Sequence, residues 1–266
     1  MAPGEGYWGR PTATLDWCEE NYVISYYVAE FWNTLSNAVM IFAPLVMVYV
    51  GYKENHEKRF IYSFLALSVV GIGSWLFHMT LKYTMQLMDE LPMIWGSSIQ
   101  IYSLYLIKSK PGEESVILQL ALIGYCIIVT LVYILINDPI FHQVSYAIMV
   151  FFIVGLASRV CLTTKCNKSF FLVSLLTYIL GFLLWNIDNV YCSNLRSIRN
   201  QFVGRSSAML FECHAWWHIF AGSGAYLGLL FGIQTRYLYL HKKPQLKFLL
   251  GCWPYVSIRE EENKVN

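Results

Sequence analysis

Two histidines, His214 and His218, are four residues apart, so a helix would place both on one face. This spacing is typical of a pair of zinc ligands on a helix. A third histidine, His78, follows Ser74 at the same spacing, and Asp89 comes eleven residues later. Three histidines would hold a catalytic zinc ion with a position open for water, which Asp89 could orient or deprotonate. A lone histidine in an apolar helix is more often a packing residue that forms a hydrogen bond to a neighbouring helix.

A second group of polar residues precedes the first long apolar segment. Its members offer side-chain or carbonyl oxygens at short spacings: Asp16, Trp17 (through its carbonyl), Glu19, Asn21 and Glu30. Oxygen donors of this kind suit calcium, although the glycine and the twelve-residue loop of an EF-hand are missing. The spacing alone therefore favours a helix N-cap with solvated acidic residues over a calcium site.

Long segments with very few charges must position these residues. Only 14% of the 266 residues are charged, whereas soluble domains carry about 25%. Apolar segments of roughly 20 residues recur, which is the length that a helix needs to cross a bilayer. We predict a single all-α domain over 1–266, excluding soluble enzymes and nucleic-acid partners. The expected transmembrane helices are seven: 31–52, 60–81, 88–107, 116–136, 142–162, 169–188 and 215–238.

Lysine and arginine residues indicate how this bundle is oriented. With seven spans, 14 of the 19 basic residues fall on the side of the C-terminal tail and 5 on the other side. The positive-inside rule then places the tail, 239–266, in the cytosol and the N-terminal segment, 1–30, in the lumen. The three histidines and Asp89 would all lie at one depth, in the lumenal half of the membrane.

Three cysteines fall on the lumenal side in this arrangement, where disulfides can form. We predict that Cys18 pairs with Cys192 and fastens the N-terminal segment to the end of the sixth span. Three free thiols, with Cys213 as the third, are an equally good reading of the sequence.

Motifs spread over almost the whole chain resemble those of the alkaline ceramidases, and in particular their phytoceramidase branch. This family belongs to a superfamily of seven-span zinc hydrolases that includes the adiponectin receptors. The segments that carry the resemblance are TLDWCEENY (14–22), AEFWNT (29–34), GSWLFHMTLKY (73–83), MDELPMI (88–94), PIFHQV (139–144), GFLLWNIDN (181–189) and HAWWH (214–218). The resemblance does not extend over the tail from about residue 255.

The resemblance implies a role for each residue of both groups. His78, His214 and His218 would bind Zn²⁺. Asp89 would accept a proton from the zinc-bound water, and Ser74 would stabilise the oxyanion. Ca²⁺, in a structural or regulatory role, would be bound by Asp16, Trp17, Glu19, Asn21 and Glu30.

The reaction implied by the resemblance is hydrolysis of a linear amide. Ceramides, in particular unsaturated long-chain ceramide, dihydroceramide and phytoceramide, would give a sphingoid base and a free fatty acid. The enzyme would be a multi-pass protein of the endoplasmic reticulum and Golgi membranes, acting on a lipid substrate with no obligate protein partner.

Other functions explain less of the sequence. An adiponectin-receptor-like lipid-hydrolase receptor is the alternative, but it would have the opposite orientation, against the distribution of basic residues. A seven-span receptor without hydrolase activity does not account for three histidines and an aspartate at one depth. A zinc or proton transporter would need polar residues along a path to the cytosol, and the inner halves of the first, fourth and sixth spans have no ionisable residue.

Overall fold

The computed structural model describes residues 5–201 and 209–258, so the chain ends and the basic residues Arg205, Arg259 and Lys264 lie outside it. The described chain is mainly helical and finishes with a β-hairpin. Its elements are α1 (Phe31–Ser36), α2 (Ala38–Lys53), α3 (Lys58–Thr80), α4 (Tyr83–Tyr105), α5 (Val116–Ile136), α6 (Pro139–Thr163), α7 (Lys168–Val190), α8 (Cys192–Gln201), α9 (Cys213–Tyr239), β1 (Gln245–Leu249) and β2 (Trp253–Ser257).

In the described part of the chain, five helical segments are long and apolar enough to cross a membrane: α1 with α2, α3, α5, α6 and α7. Their outer surfaces are apolar as well. Leu135 at the end of α5 and Leu162 at the end of α6 are each 84% exposed, which water would penalise and lipid would not. The chain is therefore an all-α membrane protein, as predicted.

The other two long helices, α4 and α9, are less apolar because they carry the residues that the sequence singled out for chemistry. Asp89 and Glu90 lie in α4, and His214 and His218 lie in the first turns of α9. Polar side chains at this depth are tolerated where they face protein rather than lipid. His214 and His218 are both buried, which fits that requirement.

Some predicted boundaries differ from the observed ones. The third span was expected from residue 88, but α4 begins at Tyr83, whose N–H donates to the Thr12 hydroxyl of the N-terminal segment (3.0 Å). The fifth span was expected from residue 142, but α6 begins at Pro139, where Asp138 accepts the N–H of Ile140 (2.9 Å). The expected tail also contains the β1–β2 hairpin, in which Gln245 pairs with Ser257 and Leu249 with Trp253.

Helices α3 and α4 approach each other closely between Gly73 and Met88. Pro92 has no N–H, so the Met88 carbonyl four residues earlier lacks its usual helical donor. A Cβ atom on Gly73 would lie 1.9 Å from that carbonyl oxygen, so only glycine fits there. The contact sets Ser74 beside Asp89, because Ser74 follows Gly73 in α3 and Asp89 follows Met88 in α4.

Small residues also bring α9 against α7. A Cβ atom on Gly224 would lie 2.7 Å from the backbone nitrogen of Tyr178, and Ser174 donates a hydrogen bond to the Gly224 carbonyl (2.8 Å). Glycine and serine at a helix contact in lipid let the two backbones pack directly. This packing fixes the helix that carries two of the three histidines.

Each end of the bundle is closed by a different part of the chain. The N-terminal segment covers the end of α3, where the N–H groups of Ala29 and Glu30 donate to the carbonyls of Met79 and His78 (both 3.0 Å). At the opposite end the hairpin packs into the bundle, and Val256 is fully buried.

Glu54, which follows α2, fastens the hairpin by accepting hydrogen bonds from Ser257 and Ile258. Burial would raise the pKa of Glu54, but these bonds and the one from His56 outweigh it and lower that pKa.

Replacing Gly73 by alanine should force α3 and α4 apart, because the added methyl group meets backbone rather than a movable side chain. We expect a loss of about 1–3 kcal/mol in the free energy of unfolding, measured as a lower melting temperature in detergent. Gly124→Ala in α5 is the matched control, since a Cβ atom there meets nothing within 4 Å. Equal melting temperatures for the two variants would contradict the close contact.

Candidate metal centre

Three buried histidines meet where α3 and α9 adjoin. His78 lies in the last turn of α3, and His214 and His218 lie in the first turns of α9. The two helices thus bring together His78 and His214, which are 136 positions apart in sequence. A ring nitrogen from each lies within 4.8 Å of one from each of the others. Among the described His, Cys, Asp and Glu side chains, no other group of three or more gathers in this way. Three imidazoles at this separation could hold a metal ion with one position left open.

Two of the three rings are oriented by hydrogen bonds that leave Nε2 available. The Nδ1–H of His78 donates to Oε2 of Glu30 (2.5 Å). The Ser36 hydroxyl donates to the Asn33 carbonyl (3.0 Å), so it accepts from Nδ1 of His218 (2.9 Å). Such partners on the second nitrogen are typical of metal-binding histidines, because they fix the tautomer and the ring orientation.

The third ring, that of His214, fits a metal for a different reason. Its Nδ1 is buried and has no hydrogen-bond partner among the described residues. A buried nitrogen without a partner costs free energy, which coordination of a metal would recover. Trp17 stacks on the same ring, with centroids 3.9 Å apart, and shields it.

Ser74 and Asp89 adjoin this centre. Ser74 lies one helical turn before His78 and is buried, while the Asp89 carboxylate on α4 is within hydrogen-bonding reach of the Ser74 hydroxyl. The structure therefore brings the five residues predicted for one site onto three neighbouring helices: Ser74, His78, Asp89, His214 and His218.

The oxygen-rich group near the N-terminus is less tightly gathered. Glu19 accepts the N–H groups of Trp32 and Asn33 (both 2.8 Å), so it caps the first turn of α1. Spacing alone favoured an N-cap with solvated acidic residues, but Glu19 and Glu30 are both buried, and Glu30, at the N-cap position of α1, makes no capping bond with its side chain. Burial and then repulsion from Glu30 raise the pKa of Glu19 to about 8. Two side-chain oxygens of the group, Oδ1 of Asn21 and Oε1 of Glu30, are buried without a partner. Asp16 is exposed.

A disulfide and a set of hydrogen bonds hold Cys18 and the residues around it in place. The structure joins Cys18 to Cys192, while Cys213 stays free and buried. Asp188 accepts the backbone N–H of Cys18 with one oxygen and that of His214 with the other (both 3.1 Å). Arg199 donates to the Cys18 carbonyl. The N-terminal segment and the start of α9 therefore share Asp188 as a partner.

Sequence reasoning missed Asp188 as a member of the site. Its signal was its position: it is the first charged residue after the charge-free stretch 169–187 and lies in one of the family-like segments. Arg199 had no such signal, because it lies in a polar connection among other basic residues.

A second buried network surrounds Glu90, the residue that follows Asp89 in α4. Its carboxylate accepts from Nε2 of Gln86 (3.0 Å) and from the hydroxyl of Tyr133, and its backbone carbonyl lies 2.8 Å from Nε2 of His142. Gln86 in turn accepts the N–H of Thr14 (2.8 Å). The network connects α4 with α5, α6 and the N-terminal segment, so it holds the helix that carries Asp89.

We expect the purified chain to hold one transition-metal ion, and His218→Ala to lose it, because two imidazoles bind such ions far more weakly than three. Elemental mass spectrometry of the detergent-purified proteins measures the ratio. His142→Gln is the control: it also removes a buried histidine of the bundle, but one outside the group of three, and should keep the ion. A full metal complement in His218→Ala would refute the site.

Comparison with known proteins identifies the family of this chain. Residues 9–257 match the model of the family described as Ceramidase. Alkaline ceramidase 3 of Mus musculus is 47% identical over 98% of this chain and 99% of its own length. Alkaline ceramidase YPC1 of Saccharomyces cerevisiae is 32% identical over 92% and 83% of the two chains. The resemblance found in the motifs is confirmed, and the chain belongs to the alkaline ceramidase family.

Proposed function

We propose that this chain hydrolyses the amide bond of ceramides at a zinc ion bound by His78, His214 and His218. Family membership supplies the reaction class: a ceramide amidohydrolase releases a sphingoid base and a fatty acid. The observation that carries the zinc assignment is the group of three buried histidines with ring nitrogens within 4.8 Å of one another. Zinc bound by three histidines lowers the pKa of its water to about 7 and so supplies hydroxide near neutral pH.

In this proposal Asp89 and Ser74 handle the proton and the negative charge. The Asp89 carboxylate accepts a proton from the attacking water and delivers it to the amide nitrogen as the C–N bond breaks. An amine leaves readily only when protonated, so one carboxyl group serves first as base and then as acid. The Ser74 hydroxyl donates a hydrogen bond to the carbonyl oxygen as that oxygen becomes negative.

A cavity of about 90 Å³ between α4, α6, α7 and α9 would take one short segment of a substrate alkyl chain. Along α9 it begins at Gly224, six residues beyond His218, and reaches Phe231. Its apolar lining is formed by Leu, Val, Ile, Phe and Ala side chains. The preference for unsaturated long-chain ceramide, dihydroceramide and phytoceramide is part of the proposal.

We also propose seven spans, with the N-terminal segment in the lumen and the C-terminal tail in the cytosol. Two long helices, α4 and α9, join the five apolar segments in this count. The excess of basic residues at the end that carries the hairpin supports the orientation, as does the Cys18–Cys192 disulfide, which needs an oxidising compartment. The proposed location is the membrane of the endoplasmic reticulum and Golgi.

A calcium ion is proposed at the oxygen-rich group, with Asp16, the Trp17 carbonyl, Glu19, Asn21 and Glu30 as candidate ligands. The unpartnered buried oxygens of Asn21 and Glu30 support it. Because Glu19 already caps α1 through its two oxygens, it would use its remaining lone pairs. The ion would then be structural, holding the N-terminal segment over the histidines.

Asp89→Asn and His214→Ala should each lower the hydrolysis of a fluorescent ceramide by the purified chain at least 100-fold. The two variants should differ in metal content, since the asparagine variant keeps the ion and the alanine variant loses it. Asp138→Asn, the same change at the exposed cap of α6, should turn over normally. Undiminished turnover in both site variants would overturn the proposed hydrolase mechanism.

Added calcium should raise the melting temperature of the wild-type chain, because a ligand that binds only the folded state stabilises it. Asn21→Ala should reduce or abolish the shift. Asn189→Ala, which changes an exposed amide bonded to its own helix, should leave the shift intact. If magnesium gave the same shift, or if Asn21→Ala kept the full calcium effect, the site would not be a calcium site.

A further inference from the structure

A second cavity, of about 570 Å³, opens at the end of the bundle where the hairpin lies, far along the helices from the histidines. It is bounded by the connection between α6 and α7, the end of α9 and the residues that lead into β1. Thr164 and Lys165 line one side, and His241, Lys242 and Lys243 line the other. At about 30 Å³ for each water molecule, the space is equivalent to roughly nineteen waters.

The lining is basic and includes no carboxylate. None of the acidic residues described at this end lines the cavity. Glu54 accepts from Ser257 and Ile258, Glu57 pairs with Arg59 (2.6 Å) and Arg236 (2.7 Å), and Glu113, in the connection between α4 and α5, accepts the backbone N–H of Lys110 (2.7 Å). Three lysines and a histidine therefore line one space whose lining has no carboxylate. Such an arrangement favours a ligand that carries several negative charges.

No hydrogen bond of the described structure uses the ammonium group of a cavity lysine to cap a helix end. Lys108, outside the cavity, donates to the carbonyl of Thr163 at the end of α6 (2.9 Å). The last carbonyls of α9 accept backbone N–H groups instead, for example from Lys242 to Tyr237 (2.9 Å). Neither Lys165 nor Lys243 forms an ion pair with a carboxylate of the described chain, so their ammonium groups are available to a ligand.

A buried polar atom also points to a ligand. The Thr164 hydroxyl oxygen is buried and has no hydrogen-bond partner in the described structure, although its residue lines the cavity. A hydroxyl can donate to an anionic oxygen at the same time as nearby ammonium groups neutralise its charge. Lys242 lies over the Tyr237 ring, with its Nζ 5.3 Å from the centroid, and this contact orients its stem.

We propose that this cavity binds the headgroup of a phosphorylated anionic phospholipid. A headgroup with one phosphate monoester and one diester carries about −3 charge, which three lysines balance. The cavity is too large for one inorganic phosphate and within the range of sites for small organic ligands. It lies at the ends of α6, α7 and α9, where lipid headgroups meet a transmembrane bundle, and Leu238 and Tyr239 offer apolar contacts for the glycerol and chains.

The test is thermal unfolding of the full chain in a neutral detergent, titrated with dioctanoyl phosphatidylinositol 4-phosphate. We expect a saturable rise in melting temperature, and a Kd at least tenfold weaker for the double variant Lys165→Gln/Lys243→Gln. The matched control is Lys58→Gln/Lys110→Gln, which removes two exposed lysines from the same end but outside the cavity. It should bind as the wild type does.

Two further titrations identify the source of the phosphate. Dioctanoyl phosphatidylcholine has the same chains without net charge, and inorganic phosphate has the charge without chains. Stabilisation by the phosphorylated lipid alone supports the proposal. An equal rise with phosphatidylcholine, an equal rise with inorganic phosphate, or equal weakening in both double variants would overturn it.

Discussion

The bond between Glu30 and His78 joins the two halves of the site. One carboxylate oxygen orients the His78 ring, and the other is buried without a partner, facing the oxygen-rich group of the N-terminal segment. The Glu30 backbone is tied to the same helix end through the His78 carbonyl. The position of the N-terminal segment and the orientation of the His78 ring therefore depend on one residue. If an ion at one side of Glu30 changed the affinity for an ion at the other side, linkage requires the reverse effect to be equal.

The lipid environment explains why the polar residues are distributed as they are. Backbone and side-chain polar groups in the membrane must find partners inside the protein, so they gather in a few helices that face each other. Most of α5, in contrast, is not buried in the protein. Val129 and Tyr133 are its only buried residues, and the Tyr133 hydroxyl donates a hydrogen bond to Glu90. Helices without such residues form the outer layer, and α3, α4 and α9 carry the chemistry.

Composition and spacing predicted the class of fold and the members of the histidine site, because the length of apolar segments and the i, i+4 period are local properties. Contacts that cross the molecule were not readable in the same way. Asp188 serves Cys18 and His214 at once, and Ser36 completes the orientation of His218; neither pairing leaves a pattern in one sequence. The hairpin was missed because β1 and β2 are stabilised by packing into the bundle, which is a tertiary effect that propensity does not report. The cap that Glu19 provides for α1 was not readable either, because it joins residues thirteen and fourteen positions apart.

The disulfide has a consequence for the order of biosynthesis. Cys18 and Cys192 are separated by 174 residues, so the N-terminal segment must wait until α7 has been made before it can be fastened. At about 5–20 residues per second, that interval is about 10 to 35 s. His214 and His218 emerge later still, in the last long helix of the described chain. His214 and His218 can therefore join His78 only near the end of translation, whereas Glu30 can bond to His78 as soon as α3 has been made.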